Sequence, residues 1–479
     1  MPVIIYELYI MTYTFSKRLF QVSALLLPLI LLISPAARAV PQEEIRVLLY
    51  SGTADVLEIY IDNGDYELFD ERGGHVIELS HGSNVEIETS RNGYDVYYRG
   101  KRVANGLSEV VFEALDNNGL FKYEDKLYRG NLRVVANGST SYIINTLDLE
   151  YYLYGVVGRE IGYNQPLEAA KAQAVASRSF AMAKLNQHNK YYDIGSDAST
   201  QTYGGYTAEI YASSGNIIRA VDATKGEIIC YRGSPFEGYY HSNAGGHTED
   251  LANVWGGGAP LKGVPSPYDS YVEKSGYSSS IYQWQIPYTT AELRDLAERY
   301  SGKSIGEYRS IEISTLDERG NPSASGRVLQ ATITGSLGEV TVRRDAVRSL
   351  LGNLKSNLFT LDGIVTVSSL YVLDKGQKTP VLVEDVSNLY IRVSNSLVAK
   401  VAELGGSLVI MGARQSAIWG GSSKSTGNIT ICGKGYGHGA GMSQWGAIGM
   451  AADGYRYKDI LAHYFNMDTN NDFTLEKYY

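Results

Sequence analysis

The chain has 479 residues, with 44% apolar and 20% charged residues and a formal net charge of −9. That composition belongs to a globular protein with room for more than one core, and it lacks the basic footprint that nucleic acid demands. Tyrosine (39 residues) and glycine (51) are over-used, which suits strand-rich surfaces and turns, and tyrosine can stack on sugar rings as readily as it packs in sheets.

At the N-terminus, Lys17 and Arg18 precede an apolar run from Leu19 to Ile33, followed by Ala37-Arg38-Ala39. This order predicts an export signal cleaved after Ala39, or an N-terminal anchor if it is retained, with Met11 as a second candidate start. The protein is then extracellular or in the cell wall, or held on the outer face of the membrane. Two cysteines, Cys230 and Cys432, are too few for a disulfide framework; a bridge and two separate thiols both remain open.

Residues 45–125 read as short alternating strands. Val85–Glu88 and Tyr94–Tyr97 flank Asn92-Gly93, a strong hairpin signal, and a second hairpin runs through Asn137-Gly138 between Leu132–Ala136 and Tyr142–Asn145. It feeds into two helical segments. Leu149–Val157 predicts a short buried helix with Gly158 as its stop, and Pro166 fits the first position of a helix reaching Leu185, in which seven of twenty residues are alanine. Glu160 lies in the break between them, backed by Val156, Val157 and Ile161, where partial desolvation would raise its pKa towards that of a general acid. A solvated helix-end charge is the other reading of that residue. Lys171 and Arg178, seven apart, share a helix face that suits an anion or a carbohydrate.

Tyr191–Tyr206 reads as a polar loop containing Gln201 and Tyr203. Residues 236–257 crowd His241, Ser242, Asn243, His247, Thr248 and Glu249 around Gly245-Gly246, with Trp255 behind; this is either a site-forming loop or one that satisfies its own backbone. Residues 261–360 look like scaffold, with a helix over Ala291–Tyr300 and a strand over Arg327–Thr334. Alternation returns over 361–431, for example Tyr390–Val393, and Gly420–Gly427 closes that stretch like a linker. In Gly435–Gly441 the glycines leave the backbone bare around His438, open to a ligand, and a helix from about Ser443 to Ala452 opens with Gln444 and Trp445. No Gly-Lys-Ser/Thr follows, so this is not a nucleotide phosphate loop.

Taken together, VVGRE at Glu160, PLEAAKAQAVASRSFA, QTYGG from Gln201, HSNAGGHTE from His241, Val254-Trp255 and GYGHGAGMSQWGA resemble the SpoIID/LytB family, in order, over about Tyr128–Phe465. The resemblance implies an α+β, strand-rich fold with a short central helical unit. It divides the chain into a signal or anchor (1–39), a strand-rich region (45–125), the core (126–360 and 432–479) and an inserted β module (361–431). It further implies a lytic transglycosylase that cuts peptidoglycan glycan strands, preferring strands stripped of stem peptides, to 1,6-anhydromuramic ends. Glu160 matches the catalytic glutamate, and one acid suffices when the sugar's own 6-hydroxyl replaces water. Lys171, Arg178, Gln201, Tyr203, His241, Ser242, His438 and Gln444 are the expected substrate-binding residues. No cofactor or metal is expected: some relatives hold zinc through cysteines near this loop, whereas this chain has Ser242 and His247 there, and a His241–His247 pair is the residual metal option. The implied partners are glycan strands, with a cell-wall amidase and other sporulation wall hydrolases as further candidates. A non-catalytic amidase enhancer is the alternative within the same family.

Overall fold

The computed structural model describes residues 43–185, 189–212, 215–258, 260–361 and 428–478, and short strands between 370 and 419. The expected signal segment and the 420–427 linker lie outside the described residues. Among those described, no helix is long and apolar enough to cross a membrane.

Two antiparallel-rich sheets build the N-terminal part. One runs, edge to edge, Ile194–Gly195, Glu44–Gly52, Thr140–Asp148, Asn131–Asn137, Glu109–Ala114, Tyr66–Asp70 and His75–Leu79. The other runs Lys126–Arg129, Leu120–Tyr123, Val56–Asn63, Asn84–Ser90, Gly93–Tyr98 and Lys101–Leu107. Both expected hairpins form, closing at Ser90↔Gly93 and Asn137↔Thr140. Alternation along the strands sends Ile45, Val47, Ile59, Ile61, Val85 and Ile87 inward, where they join one core with Leu149, Leu153, Val156, Ala169, Ala174 and Ala181 of the first two helices. The strand-rich region is therefore continuous with the helical unit.

Helix α1 (Leu149–Ile161) is capped by Asp148, whose Oδ1 accepts from the backbone of Glu150 at 2.7 Å and Tyr151 at 3.2 Å. It runs through Gly158 and stops at Gly162, which sits at φ 96°. Gly158 is therefore not the expected stop: its missing side chain is the space filled by the Tyr163 ring, which a Cβ would strike. Glu160 consequently sits on the last turn of α1 and not in a break. Helix α2 (Leu167–Lys184) follows, with Pro166 just outside it as the cap residue and not at its first position.

The alanines let two layers close on α2 at once. One face joins the large core; Ala172, Val175 and Ala176 join a third cluster with Leu251, Met442, Ala447, Ile460 and Phe465. The remaining described α-helices are, in chain order, α3 (Gly205–Ala212), α4 (Ile217–Ala223), α5 (Leu251–Trp255), α6 (Tyr271–Lys274), α7 (Thr290–Ser301), α8 (Ala346–Leu350), α9 (Gln444–Ala452) and α10 (Tyr457–Tyr464). The expected helices at 291–300 and 443–452 are α7, with a Thr289/Glu292 capping box, and α9, capped by Ser443.

Residues 284–361 with 429–431 form a separate hydrophobic core around Trp284, Leu293, Ile333, Val347, Leu350, Phe359 and Ile431. Its strands Gln283–Tyr288 and Phe359–Leu361 both pair with Ile429–Lys434. This second core is built largely from the stretch expected to belong to the main core. Within 361–431, three antiparallel pairs are described: 370–372 with 381–383, 390–392 with 398–400, and 408–411 with 416–419.

Candidate active site

Three segments remote in sequence meet at the end of α1. Tyr240–His241 pairs in parallel with Met442–Ser443, which brings the His241 loop onto the start of α9, and Thr202 comes over from the 191–206 segment. Glu160 Oε1 accepts the Thr202 backbone N–H at 2.6 Å. Burial pushes the Glu160 carboxyl above its ordinary pKa; hydrogen bonds from Thr202 and Gln444 and the nearby Arg159 charge pull the other way without cancelling it.

A buried polar ladder stands behind the carboxyl. Gln444 donates to Gln173 Oε1 at 3.3 Å, and Gln173 donates to Ser177 Oγ at 3.0 Å. The Ser177 carbonyl accepts from Gln201 Nε2 at 3.2 Å, and the same Nε2 donates to the Tyr240 hydroxyl at 3.1 Å while Oε1 accepts from Tyr152 at 3.0 Å. Gln173, Ser177, Tyr152, Tyr240 and Thr202 are site residues that the sequence reading did not pick out. The one available signal was Gln173 and Ser177, polar residues one helical turn apart amid alanines of α2.

Several expected substrate ligands are interior instead. Arg178 is 0% exposed and grips Glu150 with Nε to Oε1 at 2.8 Å and Nη2 to Oε2 at 2.7 Å, with the Val221 and Glu227 carbonyls taking further donors. Lys171 pairs with Glu168 at 2.7 Å and lies over the Tyr457 ring, so it does not share a ligand face with Arg178. Gln201 is buried with its amide saturated as above, and Tyr203 is buried with its hydroxyl on Asn145 Oδ1 at 2.9 Å.

His438 is likewise a strut. Its Nε2 donates to the Tyr240 carbonyl at 3.0 Å and its Nδ1 accepts from Ala440 N at 3.1 Å, while burial lowers its pKa to about 3, leaving a neutral ring. Trp255 packs on it at 4.7 Å between ring centroids. His241 donates from Nδ1 to the Ala440 carbonyl at 3.0 Å, is held neutral by burial, and has a buried Nε2 without a hydrogen bond. Ser242 is partly exposed, and its carbonyl accepts Trp445 N–H at 3.0 Å.

The glycines around His438 do not open the backbone to a ligand. A Cβ at Gly437, at φ 111°, would strike the His241 side chain, and one at Gly439, at φ 87°, would strike the Arg327 guanidinium. Their bare faces are occupied by the protein itself. Arg327, buried, donates to the Ala244 and His247 carbonyls at 2.8 Å each. Ser323 and Ser325 donate to Glu249; burial alone would raise the Glu249 pKa, but these hydroxyls outweigh it and hold the pKa low.

A metal held by His241 and His247 would have to bind through Nε2 of each ring. His247 turns Nδ1 to the Thr248 carbonyl at 2.6 Å, as His241 does to Ala440. Among the described residues, the only set of three or more His, Cys, Asp or Glu groups close enough to share an ion is Glu67, His75 and Glu78, on the N-terminal sheet. Burial pushes the Cys230 thiol up to about 11.

This geometry, one desolvated glutamate at a helix end braced by glutamine and tyrosine, coincides with a family match. Residues 137–231 match the Stage II sporulation protein (SpoIID) family, and residues 270–376 match a domain of unknown function (DUF8618). The chain thus carries a SpoIID domain over residues 137–231 and is similar to stage II sporulation D and amidase enhancer proteins. It is 29% identical, over 74% of this chain and 75% of the relative, to an uncharacterized protein of Brachyspira hyodysenteriae. It is 26% identical to the amidase enhancer of Bacillus subtilis over 65% of this chain but only 39% of that protein, and 25% identical to stage II sporulation protein D of Bacillus amyloliquefaciens over 71% of this chain and 79% of that one.

Proposed function

We propose that this protein serves sporulation or cell-wall remodelling as an exported lytic transglycosylase acting on peptidoglycan glycan strands. The observation that carries the reading is Glu160, whose partly buried carboxyl has its pKa raised by desolvation and whose Oε1 is fixed by Thr202 N–H. In the reaction, Glu160 gives its proton to the glycosidic oxygen as the C1–O bond breaks. The C6 hydroxyl oxygen of the same muramic acid bonds to C1, and its proton passes to the Glu160 carboxylate, which restores the acid. Gln444 and Thr202 hold the carboxyl.

Glu160→Gln keeps the shape and removes the transferable proton, so the rate should fall about 10²–10⁴-fold. The measurement is mass spectrometry of peptide-free glycan strands incubated with either protein, scoring anhydromuramic ends. The second reading, a non-catalytic enhancer, draws on the Bacillus subtilis relative's name. It takes over if wild-type protein makes no such ends and speeds an added amidase equally with Glu or Gln at position 160. Export with cleavage after Ala39 belongs to the same reading: the secreted protein should begin at Val40 on N-terminal sequencing, and membrane-bound protein with an intact terminus would replace cleavage by anchoring.

A further inference from the structure

We infer that Tyr277, seated on Trp445, is a sugar-stacking subsite for the glycan chain next to Glu160; the inference rests on the glycan reading above and adds a binding residue to it. The link is short. Gln444 hydrogen-bonds Glu160, and Trp445 is the next residue on α9, only 7% exposed and anchored through its backbone N–H to Ser242. Tyr277 stands edge-on to the Trp445 indole, with ring centroids 4.9 Å apart and planes at 65°.

Tyr277 is 56% exposed, and it lies in an exposed run, Ser275-Gly276-Tyr277-Ser278-Ser279, with no bulky neighbour in sequence to cover it. Gly276 takes φ 79°, a conformation that suits glycine and turns the chain where the ring projects. A large ring left in water gains nothing from burial, whereas one edge fixed by indole and the rest open is the arrangement that receives the apolar C–H face of a pyranose. A flexible ring would lose rotamer freedom on binding; the Trp445 contact has already restricted this one. The ligand class is an N-acetylated β-linked glycan, extending from the bond at Glu160 onto Tyr277.

The test uses the full chain carrying Glu160→Gln, so that nothing is cut during titration, and peptide-free oligosaccharides of alternating N-acetylglucosamine and N-acetylmuramic acid, followed by calorimetry. Adding Tyr277→Ala should raise Kd about tenfold, Tyr277→Phe should leave it near the parent value, and Tyr300→Ala, an exposed tyrosine on α7, should not change it. Thermal melting verifies that each variant is folded. Equal Kd for Tyr277→Ala and its parent overturns the subsite, as does an equal loss with Tyr277→Phe, which would assign the effect to the hydroxyl. If the oligosaccharide binds but wild-type protein makes no anhydromuramic ends, the transglycosylase reading falls while the Tyr277 comparison still decides the subsite. If wild-type protein cuts and Tyr277→Ala binds normally, only the subsite falls. Absence of any binding overturns both.

Discussion

Arg178 shows how far a side chain's role depends on what lies opposite it. On a helix wheel it looks like a ligand-facing cation, yet its guanidinium is enclosed with Glu150, 28 residues away. Removing one member of such a buried pair strands the other charge, at a cost of about 3–5 kcal/mol, whereas replacing both by apolar groups is often near neutral. Arg178→Met should therefore lower stability by about that amount, and Arg178→Met with Glu150→Leu should recover most of it. Urea unfolding of the two variants is the check. A glycan-binding role predicts the opposite pattern, with weaker affinity and unchanged stability.

At the scale of elements, α2 is the platform and the loops are positioned by what crosses it. Its alanines allow the backbone at Gly238 to run against Ala176, where a Cβ would collide, and this carries Tyr240 onto Gln201 and Ser177. The His241 loop is then held from its other side by residues of the 261–360 stretch. Arg327 ties down the Ala244 and His247 carbonyls, Lys355 accepts Gly437 N–H through its carbonyl at 2.7 Å, and Asp269 takes Gly246 N–H at 2.8 Å. The stretch that looks like scaffold in sequence thus fixes both loops beside Glu160, and it also supplies Tyr277 through the turn that leads into it.

Across the whole molecule, two buried neutral histidines make stability depend on pH. His438 has a folded pKa of about 3. An unfolded histidine titrates near 6.5, so between these values the unfolded chain binds the proton and the folded one does not. The sign follows: the contribution of neutral His438 is fully present above about pH 6.5 and is lost as pH falls towards 3. The carboxyls of Glu160 and Asp269, raised by burial, act in the other direction, so a comparison with His438→Gln isolates the histidine. The melting-temperature advantage of wild type over His438→Gln should shrink between pH 7 and pH 4.5.

What the residues alone determined were the features that local periodicity and turn chemistry encode: the two Asn-Gly hairpins, the alanine-rich helix, the α7 and α9 helices, and the ordered motifs that mark the family and single out Glu160. Its setting, apolar neighbours at a helix end, was legible because those neighbours are adjacent in sequence. Tertiary structure decided the rest. Gly158 continues the helix because the Tyr163 ring fills its missing side chain, and the glycines around His438 are spacers for His241 and Arg327 and not a ligand cradle. Gln173, Ser177, Tyr152 and Tyr240 became the support of the acid only when α1, α2 and two distant loops met. No local pattern distinguishes a polar group that will pair inside the protein from one that will face a ligand, since its partner is set by packing between elements tens to hundreds of residues apart.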